Sequence, residues 1–177
     1  MKTLIFSILL TSVLACSPSD EVIKTPKFYD LKGLITLKIN ELNASKPIFI
    51  KRVVVNNVAQ TKEVKTLDWS KELEPILQTD INKAANSQSY SITTNSTGVY
   101  YVLKKGEKLP VKWLNIRPQN DELLIEGSVQ NTNFLYQSER NISIFIKKNQ
   151  LVSYKIDGFQ QLFFGEKKPF LIEGKRK

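Results

Sequence analysis

The residues with most chemical potential in this chain are carboxylates and aromatics, because it has no histidine and a single cysteine, Cys16. Without imidazole, triad hydrolysis, His-ligated zinc and most general-base designs near neutral pH are closed to it. Glu72 and Glu74 flank Leu73, and Asp80 follows. A glycosidase needs two carboxylates facing each other across a cleft, roughly 5–9 Å apart. Positions two apart on a helix point in different directions, so Glu72 and Glu74 do not make that pair. Glu72, in a first helical turn, complements the helix dipole instead. The expectation is a protein that is not an enzyme, with no catalytic residue, no metal site and no cofactor.

A second set is suited to binding. Tyr100, Tyr101, Trp113, Tyr136 and Tyr154 are interleaved with Lys104, Lys105, Lys112 and Lys155. Aromatic faces stack on sugar rings, and lysines meet phosphates or uronates. Tyr101, Lys112, Trp113, Tyr136 and Tyr154 are therefore the candidate ligand face. The same rings also serve as core and cross-strand pairs in any sheet. Net charge is +9, but the lysines are scattered rather than massed, as on a solvated surface.

The elements that must position these residues follow from periodicity. Asp30 caps a predicted helix from Leu31 to about Asn43, with Leu31, Leu34, Ile35, Ile39 and Leu42 on one stripe. Ile48–Val55 and Val58–Lys65 are β-rich runs around Asn56-Asn57, a pair that tolerates positive φ and predicts a tight hairpin. Asp68 caps a second helix on which Trp69, Leu73, Ile76, Leu77, Ile81 and Ala84 recur at helical spacing. Pro75 should kink it or split it into two pieces.

After Ser89 the chain alternates as strands do. Tyr90–Ile92 and Val99–Leu103 flank a turn at 95–98, and Pro110–Ile116 changes apolar phase between Trp113 and Leu114, the mark of a bulge. Leu123, Ile125 and Val129 alternate with Glu126 and Gln130, which predicts the first three buried against the helices and the other two in solvent. A long strand from Phe134 to Ile146 follows. Leu151–Ile156, Phe159–Phe164 and Phe170–Ile172 come last, with turns expected at Asp157-Gly158 and Gly165-Glu166. Phe134, Phe145, Phe159, Phe163, Phe164 and Phe170 supply bulk to fill the interior. The expected fold is α+β, predominantly an antiparallel meander of seven to nine strands in a curved sheet, with two helices near the amino terminus packed on one face.

The amino end reads as an export signal. Lys2 precedes an apolar stretch, Leu4–Leu14, far shorter than the ~20 residues that span a bilayer. Val13-Leu14-Ala15-Cys16 resembles the lipobox of bacterial lipoproteins. The resemblance implies diacylglycerol on the Cys16 sulfur, cleavage after Ala15 and acylation of the new amino terminus. Two or three acyl chains hold a protein on a membrane without any spanning segment. It also consumes the only thiol. Ser19-Asp20-Glu21 loosely resembles the acidic surface-export signal of Bacteroidetes lipoproteins. Arg52-Val53-Val54-Val55-Asn56-Asn57 and Leu67-Asp68-Trp69-Ser70-Lys71-Glu72-Leu73 prompt a likeness to uncharacterised small lipoproteins of that phylum, which brings no known activity.

The expected organisation is a leader over 1–15, a lipidated tether over 16–27 and one β-rich domain over 28–177. Export weakens nucleic acid as a partner and leaves the membrane, reached through Cys16, and an envelope protein or glycan. Lys175-Arg176-Lys177 should be a solvated end near anionic headgroups. The leading expectation is a non-enzymatic binding module at the outer membrane. The alternative is a carrier of lipid or another apolar ligand, resembling the lipoprotein-carrier fold, an unclosed β-barrel.

Overall fold

The computed structural model describes residues 27–177. The leader, the lipobox residues Val13, Leu14 and Ala15, the acylation site Cys16 and the tether up to residue 26 lie outside the described residues.

Helix α1 (Leu31–Ser45) starts where the Asp30 carboxylate accepts the Gly33 N–H at 2.8 Å. A Cβ at position 33 would lie 2.2 Å from that carboxylate, which accounts for a glycine inside a helix. The helix closes on Lys46, left-handed at φ 45°, just ahead of Pro47. Its buried stripe is Leu31, Ile35, Lys38, Ile39 and Leu42. Lys38 sits there as a cation because its ammonium finds three acceptors: Asn149 O at 2.6 Å, Asn149 Oδ1 at 2.7 Å and Glu41 Oε2 at 2.9 Å.

Strands β1 (Phe49–Val55) and β2 (Val58–Val64) form the expected hairpin, with Asn56 at φ 49° and Asn57 at φ 66°. Helix α2 (Trp69–Leu77) is capped by Asp68, which accepts the Lys71 N–H at 3.2 Å. The helical pattern was expected to continue through Ile81 and Ala84. Instead α2 stops two residues after Pro75, and only a 3₁₀ turn, Ala84–Asn86, follows. Proline removes a donor and crowds the preceding turn. Ile81 is still buried, delivered by irregular chain rather than by helix.

The remaining strands are β3 (Tyr90–Asn95), β4 (Gly98–Leu103), β5 (Val111–Gln119), β6 (Glu122–Thr132), β7 (Tyr136–Lys147), β8 (Gln150–Leu162) and β9 (Lys168–Arg176). All pairings are antiparallel, in one open nine-stranded sheet of order β2-β1-β9-β8-β7-β6-β5-β4-β3. Strands β3 to β9 meander, and the β1–β2 hairpin adds onto β9. Since β2 and β3 occupy opposite edges, residues 65–89 must cross the whole sheet, and they carry α2 over its face.

The faces alternate as expected. Ile116, Ile125, Ile144 and Tyr154 form one rung on the helix side, and Leu114, Gly127, Ile142 and Ile156 form the next. Ile125 and Val129 are buried, Leu123 is half-buried against the core, and Gln130 is exposed. The opposite face carries a polar rung of Asn115, Glu126, Ser143, Lys155, Glu173 and Arg52. The bulge falls between Val111 and Trp113.

Two expectations need correction, and a third is refined. Asp157-Gly158 is not a turn but the middle of β8, paired to Asn141 and Arg140 on one side and to Leu171 and Phe170 on the other. Glycine is required there for close approach, because a Cβ at 158 would lie 1.9 Å from Glu139 O. The carboxyl end is solvated as expected, with Lys175 and Lys177 exposed, but Lys175 and Arg176 belong to β9 and the Lys177 ammonium meets Glu63 at 2.8 Å. Phe134, Phe163 and Phe164 do not fill the interior: they are 81%, 69% and 96% exposed. The space under the helices is filled by Phe49, Trp69 and Tyr154, with Trp69 4.8 Å from Phe49 and 6.2 Å from Tyr154.

Candidate functional site

The acids of α2 are committed to structure. Glu72 accepts from the Lys51 ammonium at 2.5 Å and from the Tyr154 hydroxyl at 2.7 Å. The Lys51 and Glu72 side chains are only 15% and 11% exposed, so the pair ties α2 to β1 and β8 largely out of water. Burial, then the hydrogen bond to Glu72, pushes the Tyr154 phenol far above its ordinary value, which keeps it a donor. Glu74 accepts from Gln78 at 3.2 Å, and Asp80 accepts from the Asn82 N–H at 3.3 Å. The three carboxylates do not converge.

The five residues of the expected ligand face are not brought together. Tyr101 and Tyr154 are buried on the helix side, where Tyr101 accepts the Tyr29 N–H at 3.1 Å. Trp113 pairs with Val102 and Ser128 on the opposite face, half-buried. The Lys112 ammonium donates to Leu109 O at 2.9 Å, beside the bulge. Tyr136 stands at the start of β7, opposite Leu162 and away from both. Among the described residues, no group of three or more His, Cys, Asp or Glu is placed to hold a metal ion.

The arrangement with binding character lies where strands outrun helices. Helix α2 runs across the strands, from Trp69 against Phe49 of β1 to Gln78 beside Arg140 of β7, rather than along them. The helix-side face therefore stays bare at one end. Val53, Val55, Ile156, Phe170 and Ile172 floor an open hollow of about 400 Å³ there, rimmed by Pro75, Arg140 and Lys168. Arg140 gives one N–H to Gln78 at 3.1 Å, while its buried Nε has no hydrogen-bond partner. Burial lowers the guanidinium pKa from its ordinary value, yet a guanidinium stays charged. An apolar floor with two cations on its rim suits a ligand with an apolar body and an acidic head.

Beyond this shelf, two adjacent hairpins end in apolar side chains. The β6–β7 tip carries Phe134 and Leu135, and the β8–β9 tip carries Leu162, Phe163 and Phe164. All five are 57–96% exposed. The Phe163 N–H donates to Leu135 O at 2.9 Å, which joins the tips, and Phe163 and Phe164 meet edge-to-face at 4.7 Å. Lys167 lies 4.2 Å over the Phe159 ring. Taking such a side chain out of water is worth roughly 1.5–3 kcal/mol, so five together make a strong latent contact.

The expectation from sequence places Phe134, Phe163 and Phe164 in the interior. The signal against that was present: Phe134-Leu135 follows Asn133, and Leu162-Phe163-Phe164 runs directly into Gly165-Glu166. Large apolar residues at turn positions have no strand face to bury.

No protein-family description matches the chain, and no characterised protein is significantly similar to it. Among the described residues, no helix is long and apolar enough to cross a membrane.

Proposed function

We propose that the chain is a lipid-anchored protein of the bacterial outer membrane whose domain is a non-enzymatic binding module. It would engage an envelope protein or glycan through the bare end of its sheet. The observation that carries this reading is the contrast in side-chain use. Glu72, the part-buried acid of α2, is committed to Lys51 and Tyr154, whereas the shelf and hairpin tips present apolar side chains to solvent. The anchor rests on the likeness of Val13-Leu14-Ala15-Cys16 to the lipobox. Metabolic acyl labelling tests it: Cys16→Ser should abolish the label, and a label that persists removes the anchor from the account.

A second reading, a carrier of an apolar ligand, is favoured by the hollow over Phe170 with Arg140 and Lys168 at its rim. It is placed second because the hollow lies beside α2 and open, not enclosed beneath both helices. One experiment separates the two. The unaltered chain and Phe170→Ser are used to capture material from envelope extract, with mass spectrometry of proteins and lipids. A protein or glycan retained by the first and lost by the second supports the module. An acidic lipid with that behaviour promotes the carrier.

A further inference from the structure

The hairpin tips lie side by side at one end of the sheet, and their chemistry points to a deformable partner. We propose that the tips at residues 133–135 and 162–167 insert into the headgroup region of an anionic bilayer. The domain then has a membrane contact separate from any lipid on Cys16.

Three observations converge. Phe134, Leu135, Leu162, Phe163 and Phe164 are 57–96% exposed around a shallow hollow between the two tips, and exposed aromatic and aliphatic residues partition into the interfacial zone of a bilayer. The backbone of the tips is already hydrogen-bonded internally. Leu135 N–H reaches Asn133 Oδ1 at 2.9 Å, Phe163 N–H reaches Leu135 O at 2.9 Å, and Gly165 N–H reaches Leu162 O at 2.9 Å. These bonds lower the cost of entry into a medium poor in water. Lys167, over the Phe159 ring, and Lys168 follow the tip in the chain, outnumber the single acid Glu166 there and match anionic headgroups.

The path of the chain agrees with this placement, in the one respect that rests on the lipobox reading. Lys27 and Phe28 lead from the tether into the domain, where Phe28 packs against Tyr90 and Tyr101 at 5.8 and 5.6 Å. Tyr90 pairs with Leu103, and the following segment returns to set Val111 against Val129. Those are the strand ends that continue to the tips, so Phe28 and the tips lie toward the same end of the strands.

The test places a reporter on the tip itself. The full chain carrying Phe164→Trp is bound to vesicles of brominated phosphatidylcholine, with or without brominated phosphatidylglycerol. The unaltered chain, with Trp69 buried and Trp113 half-buried, supplies the background. A position 96% exposed tolerates the change without disturbing the fold. The expected result is blue-shifted, quenched emission from the introduced indole with phosphatidylglycerol. Adding Lys167→Glu and Lys168→Glu should return it to the level in neutral vesicles. Absent quenching, or equal quenching in both vesicles, overturns the proposal. So does a blue shift that appears without vesicles and grows with protein concentration, which would assign the tips to a second copy of the chain. The readout sits at the tip and is blind to acylation, so failure of the anchor and failure of this inference are distinguishable.

Discussion

The sheet has two ends built from the same residue types and put to different uses. Under α1 and α2, Ile125, Ile144 and Tyr154 meet Leu31, Ile35, Trp69 and Leu73, and all are buried in one cluster. Past the helices, Val55, Leu162 and Phe163 are 50%, 65% and 69% exposed, and Phe170 is only half-buried against the edge of the core. Hydrophobic content therefore does not separate core from contact surface here. The path of α2 does, because it crosses the strands from Phe49 on β1 to Arg140 on β7 and leaves the strand ends beyond it to solvent.

The largest expected effect lies where the covered end holds a buried ion pair. Glu72→Ala leaves Lys51 and the Tyr154 hydroxyl without their acceptor, and urea unfolding should show a loss of about 3–5 kcal/mol. Glu74→Ala, one turn face away and exposed, should cost ~0.5 kcal/mol or less. Equal losses would break the distinction between the two acids. Next comes the apolar core: Ile125→Ala should cost ~2–5 kcal/mol, and Gln130→Ala, on the same strand, ~0.5 or less.

A smaller contrast concerns glycines. A Cβ at Gly174 would lie 2.3 Å from the Tyr154 ring, whereas at Gly165, on the tip, its nearest neighbour is 3.6 Å away. Gly174→Ala should cost about 1–3 kcal/mol by overpacking, and Gly165→Ala should be near neutral by the same urea assay. Alkaline pH probes the covered end without mutation. Burial pushes the Tyr90 phenol up to about 12, so the folded state holds its proton more tightly than the unfolded chain does. That stability is fully present below pH ~10 and is lost as pH rises towards 12. Thermal melts across this range should fall, and Tyr90→Phe should flatten the decline.

Local chemistry made much of the fold legible. Asp30 and Asp68 announced both helices, Asn56-Asn57 the hairpin, and the phase change at Trp113 the bulge, because each feature is decided within a few residues. What local chemistry could not carry was decided at long range. Asp157-Gly158 has turn composition, but pairing to β7 and β9 on both sides keeps it extended. Lys38 looks out of place on an apolar stripe until Asn149, 111 residues further on, supplies its acceptors. The tips differ: Phe134, Phe163 and Phe164 stand at turn positions, a local signal that outweighs their hydrophobicity.

The account stands most directly on one measurement, the urea stability of the full chain carrying Phe163→Ser and Phe164→Ser. Both rings lie outside the core, so the unfolding free energy should change by ~0.5 kcal/mol or less per site, as at ordinary surface positions. A loss of about 3–5 kcal/mol, the size expected on truncating a buried phenylalanine, would show that the tips belong to the folded core, and would contradict a bare end held free for binding.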